Sequence, residues 1–501
     1  MVHLELELDR SSDVPLYEQL QKKLSELIDR GYIEPGTKLP PSRELASALG
    51  VNRNTVTAAY DGLSTSGRVR SHVGQGTFVA HREPEAKDPM LFRFSRSAHA
   101  AAERVRPAPK VPEEHPDTID FASLVPDEEL FPVEPFRSVL DYVLRTEGKK
   151  LLQYGPAAGY PPLRDYIAER LRKRGVAAQP DNVLIVNGSQ QALDLICRSL
   201  LDPGDRVVLE SPTYTIVLPL LAQYQAQTVA IPMTPRGVDL DALEAALDRD
   251  SRTRFVFTMP TFHNPTGITL DLPSRKRLLE VSARFRVPVV EHDFDFELRF
   301  DGAALPPLKA LDERGSVLHI GTFSKGLFPG LRLGWIVADR EVVAAIERSK
   351  LIADYYTSLL LQAAGLEFCL RGHYDRHLKR LAAIYRQKSQ RLVQALERHF
   401  PDDVSWTTPE GGYAFWVTLP EGLSAESLLQ DSAREGVIFT PGSHFFAAGG
   451  GESFLRLSIS RVPVERIEEG VVRLGAALRR LGDQSGRGSS PSREQMPAFH
   501  I

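Results

Sequence analysis

The strongest constraint on the fold is an alternation of short apolar runs with helical segments through the middle of the chain. Strands that are apolar on both faces must be buried on both faces. This alternation therefore predicts a mostly parallel sheet with helices on either side. The predicted strands include residues 183–186, 207–209, 255–257, 287–290, 317–320 and 333–337.

Polar motifs follow several of these runs, and loops at the carboxyl ends of parallel strands are expected to form the functional site. The first motif is Asn-Gly-Ser-Gln-Gln at residues 187–191, which opens a helix. Its glycine permits close approach, and the free amides of a helix N-terminus attract phosphate. Tyr214 and Asn264 lie in similar loops. We therefore expect a phosphorylated ligand at this edge.

Residues 321–334 read Gly-Thr-Phe-Ser-Lys-Gly-Leu-Phe-Pro-Gly-Leu-Arg-Leu-Gly. The amine of Lys325 can form a Schiff base with an aldehyde. Arg332 can clamp a phosphate through two parallel hydrogen bonds, and Thr322 and Ser324 offer short hydroxyl donors to the same group. The run therefore has the residue types that a Schiff-base lysine beside a phosphate site would need.

The run around Lys325 resembles the pyridoxal-phosphate lysine segment of class I aminotransferases, and residues 118–482 resemble their α/β domain of fold type I. The resemblance implies pyridoxal 5'-phosphate as cofactor and no metal. It also implies that Tyr214 stacks on the pyridine ring, that Asn264 donates to the ring oxygen and that Arg456 binds an effector carboxylate. The remaining cofactor-binding residues that it implies are Gly188, Ser189, Gln190 and Tyr154, the last reaching the phosphate of a neighbouring subunit.

One segment departs from the family pattern. Residues 291–295 read Glu-His-Asp-Phe-Asp, where the family typically has Glu-Asp-Asp-Tyr-Asp. His292 therefore stands where an acid would pair with the pyridine nitrogen, and Phe294 replaces a tyrosine. Because strand side chains alternate between faces, Asp293 could substitute only through a shift or a bulge. Whether His292 or Asp293 faces the nitrogen stays open. Both changes argue against efficient transamination but leave imine formation possible.

The first eighty residues follow another pattern. Leu16, Leu20 and Leu24 begin an apolar stripe with helical spacing. A second helix is predicted at 43–49 before Gly50. Asn52 is placed to cap a third helix that ends at Gly67. Strands at 68–73 and 77–80 would complete a winged helix-turn-helix.

Basic residues dominate this region after position 35 although the whole chain has a formal net charge of -4. Together with residues 39–46 and 74–79, the pattern resembles the GntR-type DNA-binding domain over about residues 12–81. The resemblance implies binding to double-stranded operator DNA, with bases read from the start of the third helix. The predicted DNA-binding residues are Arg43, Arg53, Asn54, Thr55, Arg68, Arg70 and Gln75.

The domain boundaries follow from composition. We expect a winged domain at 1–81, a proline-rich linker at 82–117, the aminotransferase-like domain at 118–482 and a flexible tail at 483–501. The N-terminus lacks a basic-then-apolar signal and no apolar run approaches membrane length. A cytoplasmic protein with no membrane partner is therefore expected.

The two domains together resemble the MocR family. The resemblance implies a multi-domain transcriptional regulator that senses pyridoxal phosphate, an amine or amino acid, or both. Members of the family are usually head-to-tail homodimers, and most are not working transaminases, which leaves a vestigial transaminase activity open. Two alternatives remain open, namely an aminotransferase with an accessory DNA-binding domain and a cofactor-free dimerisation domain. The operator, the effector and the direction of regulation cannot be predicted from the sequence.

Overall fold

The computed structural model describes residues 8–10, 12, 14–29, 32–72, 76–80, 94–106 and 117–486. Two compact units are present, Met1–Phe94 and Ser95–Ile501. Gln75, much of the predicted linker and most of the predicted tail lie outside the described residues.

The first unit has the predicted winged-helix fold. The side chain of Asn52 accepts a hydrogen bond from the Asn54 amide at 2.9 Å, and Gly50 ends the preceding helix with a φ of 62°. Leu20, Val56 and Leu63 belong to a core cluster formed by this unit alone. Its elements are α1 (Leu16–Asp29), α2 (Ser42–Leu49), α3 (Arg53–Thr65), β1 (Val69–His72) and β2 (Gly76–Val79).

The second unit begins with a short helix and continues as alternating strands and helices. In chain order its elements are α4 (Arg96–Arg104), β3 (Ile119–Asp120), α5 (Val133–Leu151), α6 (Pro161–Arg172), β4 (Val183–Val186), α7 (Ser189–Leu200), β5 (Arg206–Ser211), α8 (Val217–Gln223), β6 (Gln227–Thr234), β7 (Gly237–Val238), α9 (Leu240–Arg249), β8 (Thr253–Thr258), α10 (Leu272–Arg284), β9 (Val289–His292), α11 (Leu308–Leu311), β10 (Val317–Thr322), β11 (Gly334–Val337), α12 (Arg340–Ala353), α13 (Leu359–Leu370), α14 (His373–His399), β12 (Ser405–Trp406), β13 (Ala414–Thr418), α15 (Ala425–Arg434), β14 (Val437–Ile438), β15 (Thr440–Pro441), β16 (Phe454–Ser458) and α16 (Val464–Gly486).

A large sheet has the strand order β4-β11-β10-β9-β8-β5-β6-β7. Strands β10, β9, β8, β5 and β6 are parallel to one another, whereas β11 is antiparallel to both β10 and β4. Strand β4 therefore runs in the same direction as the parallel strands. The predicted mostly parallel sheet is confirmed, and its carboxyl ends lie along one edge.

Helices cover both faces of this sheet. Successive side chains of each strand point to opposite faces, so one strand contributes to two different core clusters. Val186 and Leu184 pack in a cluster with α7, α8 and α12, whereas Val183 and Ile185 pack in a cluster with α5, α6 and α13. A second sheet, β12-β13-β16-β15, packs with α14 and α16 around a separate cluster.

Helix α4 lies inside the predicted linker, and the proline pattern did not predict it. The Ser95 side chain caps the helix by accepting from the Ala98 amide at 3.2 Å. The helix packs against α8, and Arg104 Nη1 donates to the Ala447 carbonyl at 2.7 Å. Residues 96–104 are therefore attached to the second unit.

Among the described helices, none combines the length and apolar content that a membrane span requires. Both cysteines, Cys197 and Cys369, are buried in core clusters, as their apolar surroundings predict.

We expect Leu63→Ala to destabilise the first unit by about 2–5 kcal/mol, because its fully buried side chain would leave a cavity. That loss is a large part of the stability of so small a domain. Hydrogen exchange of the full chain should show lost protection in residues 16–79 and unchanged protection in 118–482. Tyr32→Ala is the control, since Tyr32 is 72% exposed. Loss of protection in both units would contradict two independent cores.

Candidate functional site

The loop between β4 and α7 and the segment after Lys325 meet. Arg332 Nη2 donates to the Asn187 carbonyl at 2.9 Å. Gly188, with a φ of 80°, lies so close that a Cβ there would come within 2.9 Å of the Arg332 guanidinium. A larger residue would be strained and would displace Arg332. The structure thus brings a predicted phosphate-binding arginine to a helix N-terminus, where phosphate binding is favoured.

The hydroxyl of Thr322 is already engaged within the protein. Its Oγ1 lies 2.9 Å from the Leu333 carbonyl and 3.0 Å from Ser324 Oγ, and it accepts from the Ser324 amide at 3.1 Å. These contacts fix the turn that precedes Lys325. The direct contribution of Thr322 and Ser324 to phosphate binding stays a prediction.

Lys325 is half-buried at this edge of the sheet. Its Nζ donates to the Leu124 carbonyl, and the Tyr413 hydroxyl donates to the Lys325 carbonyl at 3.0 Å. Burial lowers the pKa of Lys325 to about 8, with Asp295 opposing the shift and Arg456 adding to it. A lowered pKa increases the fraction of neutral amine, which is the nucleophilic form.

Asp295 is a site residue that the sequence interpretation missed. Its carboxyl is buried, and burial raises its pKa well above the ordinary value while the charge of Lys325 opposes the shift. Asp295 Oδ1 has no hydrogen-bond partner among the described residues. The available signal was its place in the run 291–297, immediately after Phe294.

His292 lies in an aromatic cage. The ring centroids of Tyr214, Phe294 and Phe257 lie 5.5, 5.1 and 6.0 Å from the imidazole. Burial lowers the pKa of His292 to about 3, and the charge of Lys325 acts in the same direction. The imidazole is therefore neutral near pH 7, and neither ring nitrogen has a partner among the described residues.

Asp293 lies on the other side of the strand. Its Oδ2 accepts from Arg174 Nη2 at 2.9 Å, as the alternation of strand side chains requires. The structure therefore brings His292, and not Asp293, to Tyr214. Of the two residues that the sequence left open, His292 is therefore the one that lies on the Tyr214 side of the strand.

Asp293, Glu291 and His319 form a buried group whose potential ligand atoms lie within 4.8 Å of one another. Glu291 accepts from the Leu308 and Lys309 amides at 2.6 and 3.1 Å and lies 3.0 Å from His319 Nδ1. Two amides and His319 thus occupy Glu291, and Arg174 pairs with Asp293 at Oδ2, so the arrangement favours an ion-pair network over a metal centre. Asp293 Oδ1 has no hydrogen-bond partner among the described residues.

Arg456 and Asn264 also meet at the site. Arg456 Nη1 donates to Asn264 Oδ1 at 3.2 Å, and Nη2 donates to the Ala122 carbonyl at 2.5 Å and to Thr440 Oγ1 at 3.1 Å. The Phe445 ring lies 5.2 Å from the guanidinium carbon. Burial lowers the pKa of Arg456 to about 10. The side chain remains cationic near pH 7 and can attract a carboxylate.

Several buried polar atoms at this edge have no partner among the described residues. They belong to residues that also surround Lys325 or follow the neighbouring strands. Because buried polar groups are normally hydrogen-bonded, this set fits a polar ligand such as a phosphorylated pyridine. The atoms are Gln190 Oε1, Thr213 Oγ1, both His292 ring nitrogens, Asp295 Oδ1 and Arg456 Nε.

Tyr154 lies outside this cluster on the surface of the second unit. It is 75% exposed, and its ring centroid lies 5.7 Å from Tyr355 and 5.6 Å from Tyr356. The structure therefore does not place Tyr154 in the site of its own chain. Its predicted contact with a neighbouring subunit stays a prediction.

In the first unit, Arg53 and Asn54 are exposed and Thr55 is half-buried at the start of α3. Arg53 lines a groove of about 460 Å³, with Ser42 and Ser71 among the other lining residues. Arg43 and Arg70 are exposed as well. These positions suit contact with a nucleic acid.

Arg68 differs from the other predicted DNA-binding residues. Its guanidinium pairs with Asp29 of α1, with Nη2 2.9 Å from Oδ2. This pair joins the start of the wing to the first helix. The predicted DNA contact of Arg68 stays a prediction.

Each of the two units matches a known protein family. Residues 16–79 match the family described as bacterial regulatory proteins, gntR family. Residues 120–474 match aminotransferase class I and II.

Individual proteins match one unit or both. The 2-aminoadipate transaminase of Thermus thermophilus is 42% identical over 74% of this chain and 92% of its own. The crystal structure of LysN, an alpha-aminoadipate aminotransferase from Thermus thermophilus complexed with N-(5'-phosphopyridoxyl)-L-leucine, has a TM-score of 0.70 and 39% identity. The match covers 78% of this chain and 100% of that one.

Other relatives match both units, unlike the two aminotransferases, which match the second unit alone. The probable rhizopine catabolism regulatory protein MocR of Rhizobium meliloti is 32% identical over 94% of this chain and 96% of its own. The order of the two units is that of the two family matches, with the gntR-type region first. The chain therefore belongs to the MocR family, in which a gntR-type DNA-binding domain is joined to an aminotransferase class I and II domain.

Proposed function

We propose that this protein is a transcriptional regulator whose first unit binds operator DNA and whose second unit binds pyridoxal 5'-phosphate and senses an amine or amino acid. The observation that carries the proposal is the combination of a half-buried Lys325, whose pKa is lowered, with a buried and neutral His292 in one site. The first residue is suited to holding the cofactor, and the second is poorly suited to activating it.

When bound, pyridoxal phosphate supplies an aldehyde that takes up amines and a ring that accepts electrons. In this site Lys325 would hold the cofactor covalently, and Arg332 with the amides at the start of α7 would bind its phosphate. Tyr214 would stack on the ring and Asn264 would donate to the ring oxygen. Arg456 would bind the carboxylate of an amino-acid effector.

His292 limits catalysis in this proposal. A carboxylate at its position would keep the pyridine nitrogen protonated by ion pairing. The neutral imidazole instead offers only a hydrogen bond, so the ring would be a weaker electron acceptor. We infer that transaminase turnover is weak or absent.

A working aminotransferase with an accessory DNA-binding unit is the second candidate. Its support is the 42% identity to the 2-aminoadipate transaminase of Thermus thermophilus, together with a complete lysine and arginine set. The two candidates differ in whether amino acids are processed repeatedly or only bound.

We further propose that the protein acts as a head-to-tail homodimer. Exposed apolar residues lie around Tyr154 on the second unit, and such patches mark interaction surfaces. A second copy seated there would bring Tyr154 to its partner's phosphate site. The exposed residues are Leu152, Tyr154, Leu351, Ile352 and Tyr355.

Helix α4 is the first described helix of the second unit, and it packs close to residues of the site. It packs on α8, which begins three residues after Tyr214, and Arg104 holds Ala447, two residues after Phe445. The Phe445 carbonyl accepts from the Thr213 amide at 2.9 Å. A ligand that changes the position of Tyr214 or Phe445 would change the contacts of α4. Such a difference in contacts is what can alter DNA affinity.

Arg53→Ala should weaken binding to the operator by about 1–3 kcal/mol, because a base contact at the start of α3 would be lost. Fluorescence anisotropy at fixed salt measures this change against a random duplex. Lys22→Ala, an exposed lysine on α1, is the matched control. An equal loss on both duplexes would identify Arg53 as a phosphate contact and contradict base reading.

His292→Asp should accelerate conversion of bound cofactor to its amine form by roughly tenfold or more, because the carboxylate would stabilise a protonated ring. Single-turnover absorbance with a panel of amino acids measures the rate, and His292→Asn serves as the uncharged control. Fast conversion by the unaltered protein would favour the aminotransferase candidate.

The rate of imine formation should rise as pH increases through about 8, because the neutral amine of Lys325 reacts and its fraction grows above the pKa. With a pKa near 8, about a tenth of the amine is neutral at pH 7. Stopped-flow absorbance after mixing protein with cofactor measures the profile.

Lys325→Ala should abolish the imine band and the cofactor response on operator DNA, while basal DNA binding remains. A normal response in this variant would sink the proposed role of Lys325.

A further inference from the structure

The end of α12 holds the turn that leads into the candidate phosphate site. Asp354, immediately after the helix, accepts hydrogen bonds at Oδ2 from Asn187 Nδ2 at 2.5 Å and from Gln191 Nε2 at 2.7 Å. Its Oδ1 accepts from Lys350 Nζ at 2.7 Å. One carboxylate thus accepts three hydrogen bonds. Asn187 donates from the turn between β4 and α7, and Gln191 donates from the first turn of α7.

These contacts leave Asn187 little freedom. Its side chain donates to Asp354, its backbone N–H donates to Gln191 Oε1 at 2.7 Å, and its backbone carbonyl accepts from Arg332 Nη2 at 2.9 Å. Gly188 follows immediately and forms the N-cap of α7. The positions of Arg332 and of the first amides of α7 therefore depend on the turn that Asp354 holds.

The charge of Asp354 is balanced locally. Lys350 has no exposed side-chain surface, and burial lowers its pKa while the hydrogen bond to Asp354 opposes the shift. An isolated carboxylate close to a phosphate would repel it, and a buried unpaired lysine would be costly. Pairing the two lets a carboxylate orient the amides of Asn187 and Gln191 without adding net negative charge.

We propose that Asp354, paired with Lys350, is a positioning residue for the cofactor phosphate. It does not touch the cofactor. It acts through Asn187 and Gln191, which hold Arg332 and the N-terminus of α7 in a geometry that binds a phosphate. The proposal rests on the proposed function, in which pyridoxal phosphate occupies this site.

The proposal predicts a loss that depends on the phosphate. In Asp354→Asn the new NH2 group is a donor, and it would face the donor of Asn187, Gln191 or Lys350. Two donors cannot form a hydrogen bond, so at least one contact would be lost. Affinity for pyridoxal phosphate should fall roughly ten- to hundredfold, as expected for loss of charge-assisted hydrogen bonds. Pyridoxal has no phosphate, and its contacts with Lys325 and with the residues around the ring do not involve Asp354. Its affinity should therefore change less than about twofold.

The experiment titrates the full-length protein with each compound and follows absorbance and quenching of tryptophan fluorescence. Inorganic phosphate is added as a competitor and should compete less well in Asp354→Asn. Glu341→Gln, an exposed acid in the first turn of α12, is the matched control and should leave both affinities unchanged. Asn187→Ala keeps the Lys350–Asp354 pair and should reproduce the selective loss, so it decides the case if Asp354→Asn does not fold.

The outcomes separate the two levels of the proposal. An equal loss for both compounds, or no loss for either, would overturn the positioning role while the cofactor assignment stands. Failure of the unaltered protein to bind pyridoxal phosphate would overturn the proposed function itself, and the positioning role with it.

Discussion

Most strands of the large sheet run in one direction and end at one edge, and the candidate site depends on this geometry. Strands β5, β8, β9 and β10 are mutually parallel, and β4 joins them through two antiparallel pairings with β11. Residues that are far apart in the chain therefore meet beyond the strand ends. Those residues are Gly188, Tyr214, Asn264, His292 and Lys325.

Burial at this edge determines the charges of the site. It lowers the pKa of Lys325, His292 and Arg456 and raises that of Asp295. Withdrawal from water disfavours every charged form, so the lysine becomes more nucleophilic and the histidine stays neutral. Arg456 remains a cation, which suits it to an anionic ligand. The same desolvation that favours covalent attachment at Lys325 thus keeps His292 neutral, and a neutral imidazole cannot form the ion pair with a protonated ring nitrogen that a carboxylate would form.

Local patterns predicted the parts of the fold that local chemistry controls. Apolar runs located β4, β5, β8 and β10, and Asn52 was correctly assigned as a helix cap. Helix α4 was missed because the prolines around it outweighed a serine cap and an alanine-rich segment. The motif loops could likewise be predicted, because each lies in the loop that follows a strand.

Contacts between distant residues could not be predicted in this way. The ion pair of Arg68 with Asp29 was not predicted, because the two residues are 39 positions apart in the chain. Asp354 is 167 residues from Asn187, and no local pattern links them. The role of Asp293 was decided by its pairing with Arg174 on the opposite side of β9, which depends on how α6 and the residues after it pack on the sheet.

The central claim is that the occupancy of the second unit changes DNA binding by the first. The most direct test measures operator affinity at fixed salt for cofactor-free, cofactor-loaded and effector-treated protein, and then cofactor affinity with and without operator. Coupling between the sites predicts a change of roughly fivefold or more, of equal size in both directions. Operator affinity that is the same in all three states, with amino acids turned over through many cycles, would contradict the account.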